Sequence, residues 1–239
     1  MTIAPPVEGW LTEAQAQLLH DRAAGPRTPG AVVEIGSFRG RSTIVLARAA
    51  GGVVAIDPHA GSDRGPQEIE ADANRGDADH AAFAANLAAA GVADRVRHVR
   101  RMSGDALEEV DGPLSLLFVD GAHRFGPARD DIARWGGRVA PGGTMLVHDA
   151  WSSVGVTGAL LAECVFSPLW RYRGRAGSLA EFERVGAPTR GAARIRDALR
   201  QLAELPWFAR NVAIKVLVLA RLRPLAERLG LPADAPWPY

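Results

Sequence analysis

Lysine and cysteine are almost missing from this chain. Lys215 is the only lysine among 239 residues, and Cys164 is the only cysteine. A single thiol allows no intrachain disulfide and no cysteine metal cage. Within the apolar run 160–166 it reads as a small buried hydrophobe. An excess of one charge is absent too. The formal net charge is +1, so no global field draws the chain to nucleic acid. No long hydrophobic run occurs: the stretch 212–220 is broken by Lys215 and is well short of the roughly 20 residues that span a bilayer. The first residues show neither the basic nor the apolar region of a secretory signal. The expectation is a cytoplasmic protein without stable membrane insertion and without a nucleic-acid partner.

Two glycine signatures are also lacking. There is no G-x-G-x-x-G dinucleotide fingerprint and no G-K-[ST] phosphate loop. What stands in their place is Val32-Val33-Glu34-Ile35-Gly36-Ser37-Phe38-Arg39-Gly40-Arg41-Ser42-Thr43. It reads as a strand, a tight loop and a helix N-terminus, the place where an open α/β sheet holds a nucleotide-like cofactor.

From there the chain alternates. Strands are expected at 32–35, 53–57, 96–100, 114–120 and 144–149, with helices at 42–50, 81–90 and 129–134 between them. Short apolar runs separated by helical segments predict a parallel sheet covered on both faces. A helix over 8–24 precedes the alternation, with Thr12 and Gln15 as a reciprocal cap. After it come a helix at 154–165 and a hairpin, 170–175 with 179–185, around Gly177-Ser178. The polar stretch 58–80 reads as a long loop at the sheet's carboxyl edge, a lid or acceptor-binding segment or a disordered insertion. Residues 190–239 read as helices with Arg-rich faces. The organisation expected is an N-terminal helical segment (1–30), a core (31–186) and a C-terminal helical extension (187–239). The apolar stretch 207–219 of that extension packs under the core, forms a homodimer interface or lies on a membrane, in that order of expectation.

Asp57, closing the second strand, is placed to accept ribose hydroxyls of a bound nucleoside. The fourth and fifth strands each end in an acid with a histidine close by: Asp120 with His123, and His148-Asp149. Tips of neighbouring strands lie about 5 Å apart, and two carboxylates that close repel unless a cation or a proton lies between them. A divalent metal fits, magnesium first, with Asp120 and Asp149 as ligands and His148 as the third; manganese stays open. His123, beyond a Gly-Ala turn, is the first choice for a base acting on an acceptor hydroxyl, and His148 the second.

The pattern E-x-G-x-x-x-G at Glu34–Gly40 resembles motif I of class I S-adenosylmethionine (SAM) dependent methyltransferases. Phe118-Val119-Asp120-Gly121-Ala122-His123, then Asp130, Trp135, Pro141-Gly142-Gly143 and His148-Asp149, resembles the small-molecule O-methyltransferases that include the macrolide-sugar enzymes of actinobacteria. In composition the chain is also similar to mycobacterial polysaccharide O-methyltransferases. The resemblance implies a Rossmann-like fold, a mostly parallel seven-stranded sheet with an antiparallel hairpin. It implies SAM as cofactor, held by Glu34, Gly36, Ser37, Gly40, Ser42 and Asp57, with Asp105 and Ala106 at the adenine and Asp120 beside them. It also implies methyl transfer to a hydroxyl of a small molecule or oligosaccharide. In the metal-dependent members the fifth tip carries an acidic pair; here it is His148-Asp149. Alternatives are another enzyme on this fold, such as a reductase or hydroxylase, and a non-catalytic SAM-binding protein.

Overall fold

The computed structural model describes residues 2–62 and 70–233. Seven strands form one sheet: β1 (Ala31–Ile35), β2 (Val53–Ile56), β3 (Val96–Val99), β4 (Leu114–Val119), β5 (Val139–Val147), β6 (Trp170–Ala176) and β7 (Leu179–Arg184). Their order is β3-β2-β1-β4-β5-β7-β6. The first five are parallel, and β7 joins β5 antiparallel and pairs with β6 as a hairpin. The chain reverses its direction of strand addition between β1 and β4, so the crevice at their carboxyl ends is where this architecture takes a ligand.

Strand alternation splits the core into two layers. Val33, Ile35, Leu117, Val119, Met145 and Val147 share one cluster with Trp135, Trp151 and Phe182. Val32, Leu116, Phe118 and Leu146 face the other way, onto α1 (Glu13–Ala24), α2 (Arg41–Ala49) and α3 (Ala73–Ala89). Cys164 is buried in the first layer.

Thr12 and Gln15 do form a capping box, but they start α1 at Glu13, so the helix expected from residue 8 is five residues shorter. Residues 7–11 are held instead by Arg41, whose guanidinium donates to the carbonyls of Val7 and Leu11 at 2.6 and 3.0 Å. The loop expected over 58–80 is also shorter, because Asp72 caps α3 by accepting from the Arg75 amide. The opening of that helix, Ala-Asn-Arg-Gly-Asp-Ala-Asp-His, has no apolar periodicity to announce it. Residues 63–69 of the expected lid lie outside the described residues.

Both ends of the chain grip the hairpin. Arg22 of α1 forms a two-pronged pair with Glu181, at 2.7 and 2.9 Å. Three helices close the C-terminal side: α6 (Gly191–Leu202), α7 (Leu205–Leu219) and α8 (Arg223–Arg228). Trp207 and Phe208 of α7 pack on the first core layer. Arg175 lies 3.7 Å above the Trp207 ring and pairs with Glu204 at 2.8 Å. Among the described residues no helix is long and apolar enough to cross a membrane.

Candidate functional site

A cleft of about 1260 Å³, its open mouth included, lies at the carboxyl edge of β1, β2, β4 and β5. Its floor is the loop after β1. Gly36 takes a left-handed φ of +83°, and a Cβ there would sit 2.2 Å from the carbonyl oxygen of Asp120. The expectation was that this glycine makes room for a cofactor. The space it creates lets the β1 and β4 loops touch. Gly40, at φ +88°, starts α2 against the Phe83 ring and is not on the cleft wall.

Asp57 organises the loop. Its Oδ2 accepts from the Ser37 and Phe38 amides at 2.8 Å each, and Oδ1 accepts from the His59 amide at 2.7 Å. A carboxylate oxygen has two lone pairs, so Oδ2 is filled and Oδ1 keeps capacity for one hydroxyl. Beside it the Ser37 hydroxyl is buried, lines the cleft and has no hydrogen-bond partner among the described residues. An orphaned hydroxyl and a half-used carboxylate suit the polar part of a nucleoside cofactor.

Glu34 does not line the cleft. Strand alternation turns it under α2, where it is fully buried and accepts from Ser42 Oγ and Thr43 Oγ1 at 2.5 Å each. Burial, only partly offset by those two hydroxyls, pushes its pKa from an ordinary 4.5 up to about 8. The unfolded chain releases this proton near the ordinary value and the native state keeps it to about pH 8. Between those limits the native state binds more protons, so stability falls as pH rises through that window. Glu34→Gln is expected to flatten that fall. Melting temperatures measured from about pH 5 to pH 9 check it, and an unchanged slope would mean that Glu34 is ionised in the fold.

At the far end of the cleft, Asp105 is exposed and Ala106 lies in the core; neither reaches the cavity. Ser103 and Asp131 do, with Ser103 Oγ donating to Asp131 Oδ1 at 2.5 Å. Burial raises the Asp131 pKa to about 6 against that hydrogen bond. Asp131 opens a π turn, Asp131–Trp135, that follows α4 (Phe125–Asp130); such turns recur at functional sites. Trp135 Nε1 donates to the Ser103 carbonyl at 3.1 Å and ties the two segments together. The sequence did carry a signal for Asp131: it stands three residues after Ala128 and four before Trp135, on their buried helical face.

Across the floor, the tips of β4 and β5 meet as expected, but as crossed ion pairs. His123 Nε2 lies 3.0 Å from Asp149 Oδ2, and His148 Nδ1 lies 3.0 Å from Asp120 Oδ1 and 3.9 Å from Asp149 Oδ2. These are close electrostatic contacts rather than aligned hydrogen bonds. Burial opposes charge on His148, yet the Asp120 and Asp149 carboxylates outweigh it and raise its pKa to about 9. The same contest raises His123, where Asp149 and then Asp120 overcome burial. Asp149 resists the upward push of burial through the charges of His148, His123 and Lys215 and is held well below the usual carboxylate range.

The metal expected on Asp120, His148 and Asp149 does not fit this arrangement. Among the described residues no three His, Cys, Asp or Glu side chains converge to hold an ion. Each carboxylate faces a histidine instead, Asp120 beside His148 and Asp149 beside His123. The Asp149 turn is strained, with Asp149 at φ +53° and Trp151 at φ +57°. α7 holds it: Asn211 Nδ2 donates to the Trp151 carbonyl at 3.4 Å and Lys215 Nζ to that of Ser152 at 2.9 Å. On the other side, the β4 loop packs against α5 (Val154–Glu163). A Cβ on Gly155 would lie 2.1 Å from the His123 carbonyl oxygen.

Residues 33–150, which include this glycine loop and both strand tips, match the family described as a methyltransferase domain. The chain has the Rossmann-like methyltransferase fold. Its fold is shared with TomG, an O-methyltransferase from Streptomyces achromogenes solved in complex with SAM. TomG is 25% identical over 74% of this chain and 82% of its own, at a TM-score of 0.51. The O-methyltransferase NovP is 18% identical over 74% and 83%, at 0.56. An O-methyltransferase from Bacillus cereus solved with SAH is 20% identical over 76% and 84%, at 0.50. Relative to the residues that the resemblance to such enzymes implies, the fold puts Gly36, Ser37, Ser42, Asp57 and Asp120 on the cleft wall. It places Glu34, Gly40, Asp105 and Ala106 off it. The sequence reading missed Asp131, and it missed Trp10, whose ring lies tilted 5.4 Å from that of Phe38 and walls the cleft from the N-terminal side.

Proposed function

We propose that the protein transfers the methyl group of SAM to a hydroxyl of a small molecule, with a saccharide as the acceptor class. The observation that carries this reading is the placement of His123. It lines the same cleft as the Gly36–Phe38 loop, is held by Asp149, and keeps 19% of its side chain open where His148 keeps 2%.

SAM, when bound, supplies an electrophilic methyl group on a sulfonium. The Ser37 hydroxyl and Asp57 Oδ1 would hold its polar atoms, and the Ser103–Asp131 pair would hold the polar edge of its adenine. The acceptor would lie against His123, whose imidazole would take the hydroxyl proton as the acceptor oxygen gains the methyl group, with Asp149 stabilising the imidazolium. His148, already cationic, keeps Asp120 and Asp149 from repelling each other. The saccharide rests on the resemblance of residues 118–149 to sugar O-methyltransferases, and SAM on neighbours solved with SAM or SAH.

Calorimetric titration with SAH and with NAD tests the cofactor. Binding of SAH alone is expected; binding of NAD alone overturns the reading. Transfer of labelled methyl from SAM to a panel of monosaccharides, oligosaccharides and phenols then separates a sugar hydroxyl from other acceptors.

A further inference from the structure

We infer that the α7–α8 hairpin is a docking surface for an anionic lipid bilayer. The two faces of α7 differ. Asn211, Ile214 and Lys215 turn inward, where the first two are buried and Lys215 reaches the Ser152 carbonyl. Val216 turns away at 58% exposure, and Leu219, one turn beyond Lys215 at the end of the helix, is exposed by 73%. The stripe continues beyond the end of α7 through Leu222, Leu225 and Leu229, spaced i, i+3, i+7 and exposed by 46%, 42% and 42%. Packing of α7 under the core is therefore only half of what this apolar segment does. Five large aliphatic side chains in consecutive turns remain in water.

Charge selects the occupant. Of the basic residues from Leu205 to Ala233, Lys215 and Arg210 are held by backbone carbonyls and Arg223 by Glu227, the one acid of the stretch, which leaves Arg221 and Arg228 for a partner. Arg221 and Arg228 are exposed beside the leucines. A twofold dimer through this face would set each basic stripe against its own copy, since such an interface is self-complementary. A bilayer with acidic head groups takes both features at once. Leucines enter the acyl boundary while arginines stay at the phosphates, the behaviour of interfacial helices that lie on a membrane without crossing it. The docked face is one helix thickness from the Asp149–Ser152 turn, because Asn211 and Lys215 hold that turn from the other side of α7.

Co-sedimentation of the full-length protein with vesicles tests this, using phosphatidylcholine alone and phosphatidylcholine mixed with phosphatidylglycerol. Sedimentation is expected with the mixture only, and is expected to be lost at high salt. Arg221→Ser and Arg228→Ser should each weaken it about fivefold, and Leu219→Asp with Leu225→Asp should abolish it. These side chains are exposed, so melting temperature and SAH binding should stay at wild-type values. Equal sedimentation with both lipids, none with either, or variants that sediment like wild type would overturn the inference. So would light scattering that shows a dimer dissolved by Leu219→Asp, which assigns the face to self-association.

Discussion

His123→Ala is expected to lower methyl transfer by about 10²- to 10⁴-fold, with any acceptor the wild-type protein methylates, while the affinity for SAH stays unchanged. The reason for the split is spatial. His123 sits at the β4 tip beside Asp149, whereas the residues offered to the cofactor belong to the loops after β1 and β2 and to Asp131. The proton to be removed belongs to an alcohol, far weaker as an acid than imidazolium, so a base of raised pKa is better matched than an ordinary histidine. The cost of that match is protonation at neutral pH. Turnover should therefore rise with pH, along a limb displaced above the ordinary imidazole value of about 6.5, because only neutral His123 accepts the proton. His148→Ala is the informative contrast. It removes the cation between Asp120 and Asp149, and breaking a buried pair of this kind costs about 3–5 kcal/mol, so its signature is a lowered melting temperature. A His148 variant that melts normally and is inactive, beside an active His123 variant, would reverse the two roles.

Gly36→Ala carries the largest effect expected on the fold. A side chain at φ +83° occupies a region that costs about 1–3 kcal/mol for a non-glycine residue. Its Cβ would also lie 2.2 Å from the Asp120 carbonyl oxygen, a backbone atom that moves only if β1 and β4 part. Relieving an overpacked contact of this kind costs a further 1–3 kcal/mol or about that. The sum, about 2–6 kcal/mol, lowers the melting temperature by roughly 4–24 °C in a domain of this size. SAH binding should fall as well, because the Ser37 and Phe38 amides are clamped to Asp57 only in the present loop path. Gly51→Ala is the control: nothing lies within 4 Å of its Cβ position, and it should melt and bind as wild type does. Equal behaviour of the two variants would mean that the β1–β4 contact is not tight.

The two strand tips show how far residue types can be read and where reading stops. Two aspartates and two histidines at the ends of adjacent strands were expected to meet, and the structure brings them together on one cleft wall. Whether a metal or an imidazole faces the carboxylates depends on how the side chains cross. The crossing is set by the left-handed turn at Asp149 and by Gly155 under the β4 loop, residues that interact across long stretches of chain. Glu34 is the complementary case. The motif that drew attention to it is real, and the period-two rule already put it on the α2 face of β1. Only the packed layers, with Ser42 and Thr43 above it, show that it is a buried strut beneath the loop, its pKa raised by burial.

What the sequence by itself determined is what local rules govern. Those rules gave the alternation of strands and helices, the Thr12–Gln15 cap, the hairpin at Gly177-Ser178, and a strand–loop–helix turn at Gly36. Hydrophobic period, capping and turn chemistry act over a few neighbouring residues, so they survive as patterns in the letters. The tertiary structure alone decided which acids face the cleft, that Asp131 and Trp10 belong to its wall, that His148 lies beside Asp120 and His123 beside Asp149, and that Asn211 and Lys215 of α7 hold the site while Val216 is left in water. These depend on burial and on distances between residues far apart in the chain, where a turn of a few tens of degrees or a shift of a few ångströms reverses the electrostatic outcome.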